Sequence, residues 1–227
     1  MPRKRPTTEY FNPGVTIDVA IFTIEDGRLK ILLVKRAKEP FKGASALPGG
    51  FIRARKTAED TAVRILKEKA GVEGVYVEQL YTFDAITRDP RGQILSVAYF
   101  ALVPKEGIGI RENERTEKPQ FVTIDDLPSL AFDHAEIIAY ALKRLRDKIL
   151  YTNVIYSLLP KLFPFSDLQK TYESILGSTM DKRNFRKKFM QLDLIEATKE
   201  KFTGTRQRPA TLYRFKKNAP KELKRFF

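Results

Sequence analysis

The chain of 227 residues has no cysteine and a single histidine, His134. The first absence excludes disulfides and cysteine-based zinc sites, and the second excludes metal sites built from histidine clusters. No run of about 18 uncharged apolar residues occurs, so no membrane span is expected. Met1–Pro13 lacks the apolar core of a signal peptide. These absences predict a soluble cytoplasmic protein. Enough apolar material is present to bury real cores: hydrophobic residues make up 42%, with 16 Phe and 9 Tyr. The length suits one large domain or two modest ones.

Acidic residues are scarce in the last third. Residues 150–227 hold 17 Lys and Arg against 7 Asp and Glu, a net +10, whereas residues 1–149 hold 25 against 21, a net +4. Most of the excess of +14 is therefore concentrated in one segment. Such clustering points to a polyanion, with nucleic acid ahead of an anionic membrane.

The pattern divides near Asp147–Tyr151. Before it, Val15–Ile24 reads as a strand, Glu25-Asp26-Gly27 as a turn and Leu29–Val34 as the hairpin partner. Thr57 and Asp60 form a capping box, so a helix begins near Ala58. Val75–Phe83, Ile94–Val103 and Gln120–Ile124 read as strands, with a helix start at Asp125-Asp126-Leu127 and a helix over Ala135–Lys148. This order predicts an α+β fold over residues 1–149. Beyond it, helices are expected at Thr152–Leu159, Ser166–Leu176 and Met180–Leu192. Ser166 is the expected N-cap of the second of these, with Gln169 as its partner, and Gly177 its C-terminal cap. Leu194–Thr198 and Ala210–Phe215 are expected strands around a basic loop. Helix, helix and β-wing predict a winged helix-turn-helix over residues 150–227.

In the third of these helices Phe185, Phe189 and Leu192 recur at i, i+4 and i+7 and should face the core. The other side then presents Arg183, Arg186 and Lys187, flanked by Lys182 and Asn184. Arg and Asn suit base edges and Lys suits phosphates, and the second helix of such a pair enters the major groove. Lys201, Arg206 and Arg208 on the wing can follow phosphate or enter the minor groove. The bland alternative is a solvated basic face.

The stretch Gly49–Val72, GGFIRARKTAEDTAVRILKEKAGV, resembles the signature of the Nudix hydrolases. Gly49, Gly50, Arg64, Leu66, Glu68, Gly71 and Val72 fall in register with it, while Lys56, Ile65 and Lys69 occupy its other glutamate positions. Residues 65, 68 and 69 share one helix face by their i, i+3 and i+4 spacing. In an active enzyme of that family three carboxylates there hold a divalent metal. Here the face offers Ile65, Glu68 and Lys69, with no net charge. The resemblance therefore implies a Nudix-like α/β/α sandwich without catalytic residues or resident metal. The hydrolase alternative requires carboxylates from elsewhere, with Glu112, Glu114 and Glu117 as candidates.

Ala131–Ala139, Leu145–Tyr151, Leu158–Pro160, Asp181–Lys188 and Arg208–Phe215 extend the resemblance over nearly the whole chain, to the Nudix-related transcriptional regulators, NrtR. That resemblance implies a dimeric repressor of NAD-metabolism genes, acting on a palindromic double-stranded operator and released when ADP-ribose binds. A sister group with the same architecture responds to arabinose. Arg36, Arg53, Arg88 and Arg91 are the candidates for holding such a diphosphate, since guanidinium groups pair with it in bidentate fashion. Phe83 and Tyr99 either stack on the adenine or belong to the core. Arg88 and Arg91 are either ligand contacts or plain loop charges. Arg53, Arg55 and Lys56 either attract an anion without metal or meet DNA. His134 is expected to make a structural hydrogen bond.

Overall fold

A computed structural model describes residues 12–109, 116–202 and 210–223. The chain opens with a hairpin of β1 (Gly14–Glu25) and β2 (Arg28–Arg36). Its turn is Asp26-Gly27, both with positive φ, the conformation that matches the twist of two antiparallel strands. Short strands β3 (Ser45–Ala46) and β4 (Gly49–Phe51) follow, then helix α1 (Ala58–Ala70). Strands β5 (Tyr76–Phe83), β6 (Ile94–Leu102) and β7 (Thr116–Thr123) lead to helix α2 (His134–Lys148). The sheet runs β3-β2-β1-β6-β5, with β4 on β1 and β7 on β2. β1 and β6 are parallel, and the other pairs are antiparallel.

The alternation of β1 explains the layers. Ile17, Val19 and Ile21 face α1, where they meet Ala62, Ile65, Leu66 and Ala70. Ala20 and Phe22 face the other way, toward Ile137, Ile138, Ala141 and Leu145 of α2. A strand with period-two side chains and both faces buried needs a helix on each side. The result is the expected α/β/α sandwich. The capping box of α1 is present in both directions, Thr57 with Asp60. At its other end Gly71 adopts φ 67°, and a Cβ there would collide with the Gly109 carbonyl, so only glycine serves.

After a 3₁₀ segment at Val154–Leu158 come β8 (Phe163–Pro164), α3 (Phe165–Leu176), α4 (Lys182–Gln191), β9 (Ile195–Phe202) and β10 (Ala210–Phe215). The last two strands form the wing, and β8 adds to β10. Three local expectations are corrected. Thr152–Leu159 is a 3₁₀ turn rather than an α-helix, and Asp125-Asp126 lies in another 3₁₀ turn, Ile124–Asp126. Ser166 is not the N-cap: α3 starts one residue earlier, because the ring of Phe165 is drawn into the core between Phe185, Phe189 and Tyr213. Gln169 instead reaches forward to Glu173 and the Met180 carbonyl.

One continuous core joins the two halves. Leu29, Ile31 and Leu33 of β2, Ile138 and Leu145 of α2, Leu168 and Tyr172 of α3, and Phe185 and Phe189 of α4 belong to the same cluster. Polar contacts fix the junction. The Arg146 Nε of α2 donates to the Ile175 carbonyl at 2.8 Å, occupying an orphan acceptor at the end of α3, and the Ser174 hydroxyl lies 2.5 Å from the Gly27 carbonyl of the hairpin turn. Among the described residues no helix is long and apolar enough to cross a membrane.

Candidate functional site

Two features stand out. The first is a cleft of about 560 Å³ at the end of the sandwich, where β1, β2, β4, α1 and the β5–β6 connection converge. Eight cationic side chains line it: Lys35, Arg36, Lys38, Arg53, Arg64, Lys69, Arg88 and Arg91. Four carboxylates do so too: Asp18, Glu39, Glu68 and Asp89. The surplus is positive, which suits an anionic ligand.

Its floor is a buried ionic network. Arg88 is 3% exposed at its side chain and makes a bidentate pair with Asp133, at 2.8 and 2.7 Å, with Asp18 at 3.6 Å. Burial pulls the Arg88 guanidinium down, but hydrogen bonding to Asp133 and its charge overcome this and raise it. Asp18 also accepts from the Ser96 hydroxyl at 2.7 Å. Its carboxylate lies where a Cβ of residue 49 would be, which explains the first glycine of the GG pair: any side chain would collide with it. His134 Nδ1 accepts from the Leu47 N–H at 2.9 Å, so the neutral ring carries its proton on Nε2, which faces Asp18 at 3.7 Å. Burial pushes the His134 pKa down, against the opposing pull of Asp18 and Asp133. The structural hydrogen bond expected of His134 is present.

The cleft wall is a set of stacked planar groups. The Arg36 guanidinium lies 4.6 Å from the Phe132 ring centre. The Arg91 guanidinium lies 5.6 Å from Phe132 and 5.3 Å from Phe51. Arg91 is held by a fork to Asp89 at 2.9 and 2.6 Å. Phe51 and Phe132 were missed in the sequence. Their signal was weak: Phe51 follows the GG pair directly, and Phe132 precedes Asp133-His134, but the two are brought together only by the fold.

The sequence candidates fall into three groups. Arg36, Arg53, Arg88 and Arg91 all line the cleft, with Arg88 and Arg91 already paired to carboxylates. Phe83 and Tyr99 do not: each is 6% exposed, Phe83 in the core under α2 and Tyr99 in the core under α1. This corrects the stacking expectation in favour of its core alternative, since an inward strand position points at a helix layer. Arg55 and Lys56 are exposed in the turn before α1 and stay outside the cleft.

The resemblance to the Nudix hydrolases implies a divalent cation, and the helix face does not fit one. Ile65 is 1% exposed and packs in the core under α1, so of the three residues 65, 68 and 69 only Glu68 and Lys69 line the cleft. Lys69 lines the cleft and is 7% exposed. Glu68 is paired with Arg64 at 3.0 Å and Arg53 at 3.8 Å. Hard divalent ions need several oxygen ligands, and among the described residues no group of three or more acidic or histidine side chains is placed to hold a metal ion. Glu112 and Glu114 lie outside the described residues, as does the side chain of Glu117.

The second feature is α4. Asp181 caps it by accepting from the Asn184 N–H at 2.8 Å. Phe185 and Phe189 are 1% and 0% exposed and pack on Tyr172 and Phe165. Lys182, Arg183, Asn184 and Lys187 are exposed on the far side. Arg186 differs. It donates to the Tyr213 hydroxyl at 2.7 Å and lies 4.7 Å from the Phe165 ring centre, so its guanidinium braces the wing. Lys201 is exposed on β9. Arg206 and Arg208 lie outside the described residues.

A cationic cleft in an α/β/α sandwich whose signature helix follows a GG turn, joined to a capped helix on a β-wing, defines a Nudix domain carrying a winged helix. Comparison with known proteins agrees: residues 14–144 match the NUDIX domain and residues 155–215 match the NrtR DNA-binding winged helix domain. The ADPR responsive transcriptional repressor NtrR of Acinetobacter baylyi is 38% identical over 92% of this chain and 84% of its own. The crystal structure of Shewanella oneidensis NrtR complexed with a 27mer DNA is 37% identical and superposes with a TM-score of 0.80, over 89% of this chain and 93% of that one. The NUDIX domain of the same S. oneidensis protein, complexed with ADP ribose, is 36% identical with a TM-score of 0.56, over 63% of this chain and 94% of that domain. The chain belongs to the NrtR family of Nudix-related transcriptional regulators.

Proposed function

We propose that this chain is a DNA-binding transcriptional repressor whose Nudix domain binds ADP-ribose as an effector without hydrolysing it. The observation that carries this reading is the pairing of a cationic cleft, whose described residues form no metal-binding carboxylate set, with an exposed cationic helix α4 on a winged helix. A sensor that hydrolysed its effector would erase its own signal, and the substitution of Ile65 and Lys69 for carboxylates suits a receptor that only binds. The division of labour is residues 1–149 for the effector and residues 150–227 for DNA. A homodimer would set two α4 helices about 34–36 Å apart, one turn of DNA, on a palindromic operator. ADP-ribose would release the operator by favouring a conformation in which the two helices are displaced, since a ligand shifts only an equilibrium whose states it binds unequally.

The test is a gel-shift titration with the operator, with and without ADP-ribose, beside incubation of the chain with ADP-ribose and Mg²⁺ or Mn²⁺. Release of DNA without turnover supports the reading. Turnover that is abolished by Glu68→Gln would establish a hydrolase instead. Binding without preference for one duplex sequence would point to a general nucleic-acid or scaffold role.

A further inference from the structure

We infer that the stacked wall of the cleft is a base-binding platform and that Phe51 is the residue that makes the cleft prefer a nucleotide to a bare sugar phosphate or diphosphate. This rests on the reading of the cleft as a nucleotide site and adds which part of the nucleotide is selected, and by what.

The planar groups alternate in a ladder: Arg36, Phe132, Arg91, Phe51. Each inner member is fixed. The fork to Asp89 holds Arg91 in its plane. Phe132 adopts φ 54°, a left-handed conformation that a bulky residue takes only when its surroundings impose it. Those surroundings are the edge of Phe41 at 4.9 Å, the Arg36 guanidinium, and the next residue, Asp133, anchored to Arg88. Strain of this kind collects at ligand-binding positions.

The ladder ends at Phe51, and that end is open. Phe51 is 47% exposed, although it sits on β4 in register with Thr16 and lines a cleft rich in charged side chains. A Cβ at residue 14 would lie 3.1 Å from the Ile94 side chain and 3.3 Å from this ring, so Gly14 relieves a tight contact beside the ring. A half-wet aromatic at the mouth of a cationic cleft offers what a base needs, a flat apolar face beside cations. Bases stack on both aromatic rings and guanidinium planes. A base laid on Phe51 continues the ladder and leaves the surplus positive charge of the cleft to the diphosphate.

The test is calorimetric titration of the full chain and of Phe51→Ala, Phe51→Leu and Phe51→Trp with ADP-ribose, AMP, ribose 5-phosphate and inorganic pyrophosphate. Phe51→Ala is expected to weaken ADP-ribose and AMP by about tenfold or more, and to leave pyrophosphate and ribose 5-phosphate unchanged. Phe51→Leu, which keeps the bulk without the aromatic face, should follow Phe51→Ala. The chain has no tryptophan, so Phe51→Trp introduces a single tryptophan whose emission ADP-ribose should quench and pyrophosphate should not. Unchanged ADP-ribose affinity in Phe51→Ala, or an unquenched Phe51→Trp with ADP-ribose bound, overturns the stacking role and leaves the effector reading intact. A chain that binds AMP but not ADP-ribose overturns the effector and keeps the platform; one that binds neither overturns both.

Discussion

The cleft and helix α4 are both rich in cations, yet they hold them in opposite ways. In the cleft, Arg88 and Arg91 are locked to Asp133 and Asp89, and Arg36 lies on an aromatic ring. Their positions are set before any ligand arrives, at the cost of neutralising part of the charge. On α4, Lys182, Arg183 and Lys187 stand exposed on a helix whose other face is two buried phenylalanines. There the rigidity comes from the apolar face, and the charge is left in water. A pocket for a small anion gains from preorganised geometry, whereas a surface for a polyanion gains from available charge and counterion release. Arg186, tied to Tyr213 and Phe165, shows that one helix can contain both behaviours.

Substitutions can break this contrast. The largest loss is expected from Phe189→Ala or Phe185→Ala, each about 3–5 kcal/mol of folding stability by chemical denaturation. Because these rings share a core with β2 and α2, the loss should be seen as a single transition; two separated transitions would show that the halves fold independently. Arg88→Ala should cost a similar or slightly smaller amount, about 3 kcal/mol, because it strands the buried carboxylates of Asp18 and Asp133. If Arg88→Ala melts like the unaltered chain, the network is not a structural element of the cleft. Arg183→Ala is expected to leave the melting temperature unchanged and to weaken operator binding by about 1–3 kcal/mol in a gel shift. Arg186→Ala should behave like a cleft arginine, lowering stability by about 1 kcal/mol.

The smallest effect concerns His134. Burial lowers its folded pKa below the unfolded value near ~6.5. Folding then favours the neutral ring, so its contribution is present above the unfolded pKa and is lost as pH falls through the folded one. Asp18, Asp133, Arg88 and Arg36 are the charges that face it. As the sole histidine, it should give a melting temperature that falls as pH drops below the unfolded value, a fall that His134→Gln flattens. An identical pH profile in both proteins would remove that assignment.

Legibility followed sequence distance. The Thr57–Asp60 box, the Asp26-Gly27 turn and the Phe185–Phe189 spacing are contacts within a few residues, so pattern alone predicts them. The bidentate pair of Arg88 and Asp133 spans 45 residues, and no local pattern distinguishes a paired arginine from a loop charge. Phe83 and Tyr99 looked like ring donors because a strand shows only alternation. It does not show which face meets a helix and which meets a ligand.

What the sequence determined by itself is the set of local elements, the loss of acidic residues from the signature helix and the basic excess of the last third. These depend on spacing and composition, which act over a turn or a strand. The tertiary structure decided which cations are already paired, which aromatic rings reach the cleft, and that both halves share one core. Those outcomes depend on topology: the parallel pairing of β1 with β6 sets Asp18 beside Ser96, β4 on β1 brings Phe51 to the cleft mouth, and the N-terminus of α2 delivers Asp133 and His134 to its floor. Buried charges are stable only where the fold supplies their partners, and the fold alone selects which partners those are.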